Sequence, residues 1–229
     1  MKDLYQIILD ETPDHWPVVP FWSLYKKTKQ TGQPDEELLS VYRDYGVIPK
    51  SSRDDNRNVE SEDLSGYQLV KKRWLVTNKM KAWQGSIAVS KFQGIVSPAY
   101  FVYEPLHQEN DDYIHFLLRS QLYTSIYGRI SKGVRIGQWD LEHEALRTVP
   151  IALPPLSEQA DIVANIRVEI KKIDELIEVA GGLKAAMASR EGALLSLLLE
   201  KKSALINYRV TGHIESSDTL NKAAAGGVV

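Results

Sequence analysis

The sequence contains no cysteine, which excludes disulfides, thiolate zinc sites and cysteine nucleophiles and fits a reducing compartment. It also has no apolar run of the length a membrane helix requires, and its opening, MKDLYQIILDET, carries acids where a signal peptide would be cationic and then apolar. The expectation is a cytoplasmic protein with no membrane partner. Nucleotide-binding loops are missing too: there is no G-x-G-x-x-G and no Walker A segment. An amino-methyltransferase needs an Asn/Asp-Pro-Pro-aromatic tetrad to grip its target amine. Leu153–Pro154–Pro155–Leu156 has neither end of it, and Ser97–Pro98–Ala99–Tyr100 lacks the polar first residue. Nuclease-like fragments (Pro13–Asp14, Pro34–Asp35, Glu169–Ile170–Lys171) stand isolated, and the histidines His15, His107, His115, His143 and His213 are scattered. No residue is therefore assigned to catalysis or to a metal, and no cofactor is expected in this chain.

Acid is missing from two stretches. Residues 64–103 hold no Asp or Glu but include Lys71, Lys72, Arg73, Lys79, Lys81 and Lys91; residues 113–139 hold none but include Arg119, Arg129, Lys132 and Arg135. The formal net charge is only −2, so the signal lies in segregation rather than in the total. A basic surface facing phosphate explains it. Solvated lysines that keep strand edges from aggregating explain it as well.

What is present changes texture along the chain. Residues 1–152 are rich in Trp, Tyr, Val, Gly and Pro, with short apolar runs at 74–77, 86–89 and 99–103 punctuated by Gly85, Gly94 and Pro98. These read as strands. Residues 113–127 read as one helix, because Ile114, Leu117, Leu118, Leu122 and Ile126 fall on one face. The fold class is α+β. Trp16, Trp22, Trp74 and Trp139 are expected in the core; Trp83 is open.

Pro154–Pro155 marks a joint. Ser157 is placed to cap a helix that runs without proline to about residue 208. Ile162, Ile166, Ile173, Leu176, Ala180, Leu183, Met187, Leu194 and Leu197 follow a/d heptad spacing along it. A continuous helix of about 50 residues would be roughly 75 Å long, too long for the preceding domain to cover, so the seam is expected to dimerise. Gly181–Gly182 allows a break into a hairpin, but the heptad phase continues through the glycines and favours one helix. In an antiparallel pair centred there, Glu169 of each chain would approach Arg190 of the other. The expected organisation is a globular domain over 1–152, a long coiled-coil helix over 153–210 and a flexible tail over 211–229.

Several segments resemble the specificity subunits of type I restriction–modification systems. Ile151–Ala152–Leu153–Pro154–Pro155–Leu156–Ser157–Glu158–Gln159, with Ile162–Val163 and Ile173–Asp174, is similar to that family's junction between target recognition domain and conserved helix. Gly94–Ile95–Val96–Ser97–Pro98–Ala99–Tyr100, Ser131–Lys132–Gly133–Val134–Arg135, Trp16–Pro17–Val18–Val19–Pro20 and Lys202–Ser203–Ala204–Leu205–Ile206 with Val210–Thr211–Gly212 match further family segments in order. A full family member carries two recognition domains and two helices. One set here implies a half-length form that homodimerises through antiparallel helices and reads a bipartite, palindromic duplex target. The resemblance implies partner methyltransferase subunits using S-adenosylmethionine to methylate adenine, and ATP-driven restriction subunits. The chain itself would be non-catalytic.

Residue chemistry ranks the DNA contacts, since phosphate is met by Lys, Arg and small polar groups and base edges by Arg, Asn and Gln. The candidates are Asn78, Lys79, Lys81, Gln84 and Lys91; Arg129, Lys132, Gly133 and Arg135; Lys26, Lys27, Thr28 and Lys29; and Arg43, Lys50, Ser51 and Arg53. The rival reading is a coiled-coil adaptor whose globular domain binds protein.

Overall fold

The computed structural model describes residues 3–53, 61, 63–135, 138–184 and 191–210. Helix α1 (Leu4–Asp10) precedes β1 (Val18–Pro20), the single-turn α2 (Phe21–Leu24) and β2 (Tyr25–Thr28). A hairpin, β3 (Leu39–Tyr42) and β4 (Gly46–Pro49), is followed by β5 (Gln68–Val70), β6 (Leu75–Asn78), β7 (Ile87–Val89), β8 (Gly94–Val96) and β9 (Tyr100–Pro105). Helices α3 (Asp111–Arg119) and α4 (Gln121–Ile130) lead to β10 (Lys132–Arg135), β11 (Gln138–Asp140), α5 (His143–Leu146) and β12 (Pro150–Ala152). The last two described elements are α6 (Leu156–Lys184) and α7 (Glu191–Val210). No described helix is long and apolar enough to cross a membrane.

The central sheet is antiparallel in the order β2–β9–β6–β7, with Lys27 opposite Tyr103, Tyr103 opposite Leu75 and Leu75 opposite Val89. Both of its faces are covered, which is why its strands read as apolar runs rather than alternating ones. Tyr25, Tyr103, Leu75 and Val89 join a large core with residues of α3, α4 and α6. Val76, Val102 and Ala88 join a second core with Leu39, Val41 and Val47 of the β3–β4 hairpin and with Trp74 and Val96. The helix expected over 113–127 is two helices. Ser120 adopts an extended conformation between them, and its hydroxyl accepts from the Tyr123 N–H at the start of α4. Trp16 and Trp74 are buried as expected, and Trp83 and Trp139 are half-buried against each other. Trp22 is 53% exposed: on the single turn of α2 its neighbour Phe21 takes the inward position.

The joint is pinned from three sides. Gln159 is fully buried, donates to Glu109 Oε2 at 2.6 Å and the Pro154 carbonyl at 2.8 Å, and accepts from the Asn110 N–H at 2.9 Å. Glu158 accepts from Trp16 Nε1 at 3.0 Å and meets His15 Nε2 at 3.1 Å. Helix α6 starts one residue before the expected Ser157 cap: the Pro155 carbonyl accepts the Gln159 N–H.

Beyond the joint, a single long helix is not what forms. Helix α6 runs through Gly181–Gly182 without breaking, and α7 returns along it to the globular body. Lys202 Nζ lies 2.6 Å from Asp174 Oδ1, two residues that a continuous helix would hold about 42 Å apart. Asn207 Oδ1 accepts the Leu122 N–H at 3.1 Å, satisfying an orphan donor in the first turn of α4. The physical reason is burial: folding back places Ile206 and Val210 against the core that already holds Ile162, Ile166 and Val163, area that a free rod would leave wet. Ile162, Ile166 and Ile173 of the expected dimer seam are thus buried within their own chain, whereas Leu176, Leu194 and Leu197 are exposed and Ala180 is half-buried. Glu169, expected to meet Arg190 of another chain, pairs with Lys172 on its own helix at 2.9 Å. Met187, Arg190 and the tail over 211–229 lie outside the described residues, as does the side chain of Leu183.

Candidate nucleic-acid interface

The turn joining β6 to β7 organises one edge of the molecule. Asn78 closes it: its Oδ1 accepts the Met80 N–H at 3.1 Å, and its backbone N–H bonds to the Ser86 carbonyl. Gly85 ends the turn at φ +90°, a left-handed conformation that favours glycine. Lys81 and Gln84 project into solvent from this turn. Asn78 itself is therefore occupied in shaping the turn.

On one side of the turn the chain gathers cations around aromatic rings. Lys27 Nζ sits 4.2 Å from the centre of the Phe101 ring, and Lys79 Nζ approaches the same ring at 5.9 Å. The Lys79 Nζ also lies 3.8 Å from Asp140 Oδ2, a long and partly solvated pair. His143 packs edge-on against Phe101 and meets the Tyr103 hydroxyl through Nδ1 at 3.2 Å. Burial holds the His143 pKa below its ordinary value, and the neighbouring Lys27 and Arg147 charges push the same way. Trp83 and Trp139 pack ring on ring at 4.8 Å, joining this turn to β11. Lys132 reaches Glu142 at 2.9 Å beside them, and Gly133 is exposed. Arg129 is exposed on α4, the helix that packs on the turn.

On the other side lies the β3–β4 hairpin. A Cβ placed on Gly85 would be 4.0 Å from Arg43 Cγ, so Arg43 abuts the turn directly. The Arg53 guanidinium lies 4.5 Å from the Tyr45 ring centre and 5.5 Å from that of Tyr42. Lys50 and Ser51 follow on a short helical turn, with the Ser51 hydroxyl donating to Glu37 at 3.4 Å.

Parts of the four candidate sets thus fall along one edge: Arg53, Arg43, Lys81, Gln84, Lys79, Lys27 and Lys132. Lys26 and Thr28 alternate with Lys27 on β2 and point to the other sheet face; Lys29, beyond the strand, is exposed. Lys91 is apart: it lies beyond the other end of β7, 3.0 Å from Asp112, which also holds Arg167 at 2.5 Å. Arg135 lies on β10, but its side chain is outside the described residues. Sequence reasoning missed Phe101 and His143, because their meeting with Lys27 depends on the β2–β9 pairing and on where α5 docks. Among the described residues no group of His, Asp or Glu is arranged to hold a metal ion.

Comparison with known proteins gives the edge its context. The family model described as the type I restriction modification DNA specificity domain matches residues 26–185. No curated protein matches the chain. Among solved structures, a chain from work on the complex assembly and conformational transition of the type I R-M system matches with a TM-score of 0.57 at 14% identity, over 76% of this chain and 47% of that one. The HsdS subunit from Thermoanaerobacter tengcongensis matches with a TM-score of 0.52 at 14% identity, again over 76% and 47%. At such identity these likenesses show the fold alone, and the chain spans about half the length of either structure.

Proposed function

The chain belongs to the type I restriction–modification DNA specificity family, and from that premise we propose that it reads duplex DNA along the edge built on the β6–β7 turn. The observation that carries this reading is the convergence of separate basic segments. Lys27 and Lys79 share one aromatic ring, and Arg43 abuts the glycine that ends the same turn. Cations held over an aromatic ring keep their charge outward, where phosphate can meet it. In this reading the chain is a non-catalytic, cytoplasmic recognition subunit. Partner methyltransferase subunits supply S-adenosylmethionine-dependent adenine methylation, and restriction subunits supply ATP-driven cleavage. Residues 1–152 form the recognition domain, and 153–210 couple it to partners.

Two copies make the functional unit, joined at the far end of the helical hairpin. The first half of helix α7 is crowded with leucines (Leu194, Leu195, Leu197, Leu198 and Leu199), and Leu194, Leu197 and Leu199 stay exposed, as do Leu176 and Val179 of α6. The contacts α7 makes with its own α6 are also available between chains, because an exchanged helix finds the same partners. An antiparallel pair of this kind carries two recognition domains related by a two-fold axis, and its target is then a bipartite inverted repeat.

Selection of bound duplexes from a random library, with the chain co-purified with a methyltransferase subunit, tests both statements. A bipartite inverted repeat is expected. An asymmetric bipartite motif would replace the homodimer with an unlike pair. No enrichment at low salt would remove the DNA-reading role in favour of a protein-binding adaptor. Asp174→Cys with Lys202→Cys, joined by a short bismaleimide in this cysteine-free chain, reports whether α7 packs within one chain or across two.

A further inference from the structure

The β3–β4 hairpin is held more firmly than its packing requires. Its three-residue tip, Arg43, Asp44 and Tyr45, lies between Tyr42 and Gly46, which pair across the strands. Gly46 has φ +74°, and a Cβ there would lie 2.9 Å from His115 Cε1 and 3.3 Å from Ala88 Cβ. The hairpin therefore lies flush on α3 and β7 at a position that strongly favours glycine. Beneath the tip, the Arg119 guanidinium donates to the carbonyls of Tyr42 and Ile87, each at 3.4 Å, and to that of Arg43.

A half-buried guanidinium that grips main-chain carbonyls, with the Asp44 carboxylate of the tip itself as the charge acting on it, is an unusual device for holding a surface turn. An apolar side chain would fill the space at lower desolvation cost. What the cation adds is direction: three carbonyls converge on one planar group, fixing the backbone of Tyr42 and Arg43 against β7. The side chains so presented are not buried. Arg43 is 74% exposed, and Tyr45 is 58% exposed with the Arg53 guanidinium against its ring.

A two-stranded ribbon fits the major groove, where an arginine donates two hydrogen bonds to the guanine edge. We infer that the tip of the β3–β4 hairpin is the base-reading element of this edge, with Arg43 addressing a guanine in the major groove and Arg119 as the positioning residue that fixes it. The flanking Lys27, Lys79 and Lys81 meet phosphate and set register. The inference rests on the DNA-reading role proposed above and adds which residues discriminate between bases.

The test uses the full chain with its methyltransferase partner and two duplexes of equal length and composition, the selected sequence and a shuffled one. Arg43→Ala is expected to lower the preference for the selected duplex by about ten- to hundredfold, and to relax one base-pair position when the selection is repeated. Binding to the shuffled duplex should fall only a few-fold. Arg119→Met should blur that same position, and Arg119→Lys should restore part of it; a structural lesion would instead weaken every position together. Arg43 is exposed, so its variant stays informative if Arg119→Met fails to fold. If wild-type protein prefers the selected duplex and Arg43→Ala keeps that preference in full, the hairpin assignment falls and the DNA-reading role stands. If wild-type protein shows no preference for any duplex, both fall.

Discussion

At the base of the helical hairpin, Ile162, Ile166 and Val210 are enclosed by the globular body; farther out on the same two helices, Leu176, Val179, Leu194 and Leu197 stand in solvent. The residue types are alike and the heptad spacing runs through both regions. The difference shows what an apolar stripe specifies: that a helix face needs covering, not what covers it. The base is covered by its own chain, because α3 and α4 lie there and α7 returns to them. Nothing in the described chain covers the far end.

The largest effect that would sharpen this contrast is at Ile166, which is fully buried. Ile166→Ala should destabilise the chain by about 3 kcal/mol. Leu197, 60% exposed, should lose less than about 0.5 kcal/mol on the same truncation in dilute solution. Urea unfolding of both variants decides it. Equal losses would mean that the far end is covered after all.

Next in size is the joint. Gln159→Ala removes an amide that satisfies the Asn110 N–H, the Glu109 carboxylate and the Pro154 carbonyl in a buried setting. A loss of about 2 kcal/mol is expected from the groups left unpaired. If the base is one unit with the body, denaturant should unfold both together. Separate transitions for the hairpin and the sheet would break that link.

Acid distinguishes the regions again. Burial, reinforced by the Arg119 and Lys91 charges, pushes His115 down to about 3, and burial lowers His107 in the same direction. Above pH 6.5 both states leave His115 neutral. Below it the unfolded chain takes up a proton that the native chain refuses until about pH 3, so stability falls by about 1.4 kcal/mol per pH unit for this histidine. His115→Gln should remove one proton's worth of slope between pH 6 and pH 4 in urea titrations. An unchanged acid limb would place the loss elsewhere.

Much of this was legible in the sequence. The strands around Val76, Ala88 and Val102 announced themselves as apolar runs, and Pro154–Pro155 marked the joint. The break at Ser120 was not, because the apolar spacing of α3 continues into α4 and only the serine's capping chemistry separates them. The hairpin was underestimated for a related reason: Gly181–Gly182 could signal a turn, yet the helix crosses them, and the return of α7 depends on a surface of α3 and α4 that local periodicity does not describe. At the edge proposed to read DNA, residue chemistry ranked the cations but did not give their grouping. Lys27 and Phe101 meet only through the β2–β9 register, and Arg119, which reads in sequence as one more basic residue, turns out to face inward.

Only a small effect on stability is expected from the cations of this turn, and it completes the contrast with the exposed leucines. Lys81 is solvent-exposed, and the Lys79–Asp140 pair is long and partly solvated, so Lys79→Ala with Lys81→Ala should change folding free energy by less than about 1 kcal/mol. Binding is where the pair should matter. Each phosphate contact releases condensed counterions, so removing two should flatten the slope of log affinity against log salt by about 2, on selected and shuffled duplexes alike. Leu197→Ala, measured under the same conditions, should leave that slope per bound chain unchanged, because it carries no charge to phosphate. Both kinds of residue add little to the fold of one chain; under the proposed function, salt dependence separates those that meet DNA from those that meet another helix. An unchanged slope in the lysine variant would take this turn out of the DNA contact and return its charge to the role of keeping a strand edge soluble.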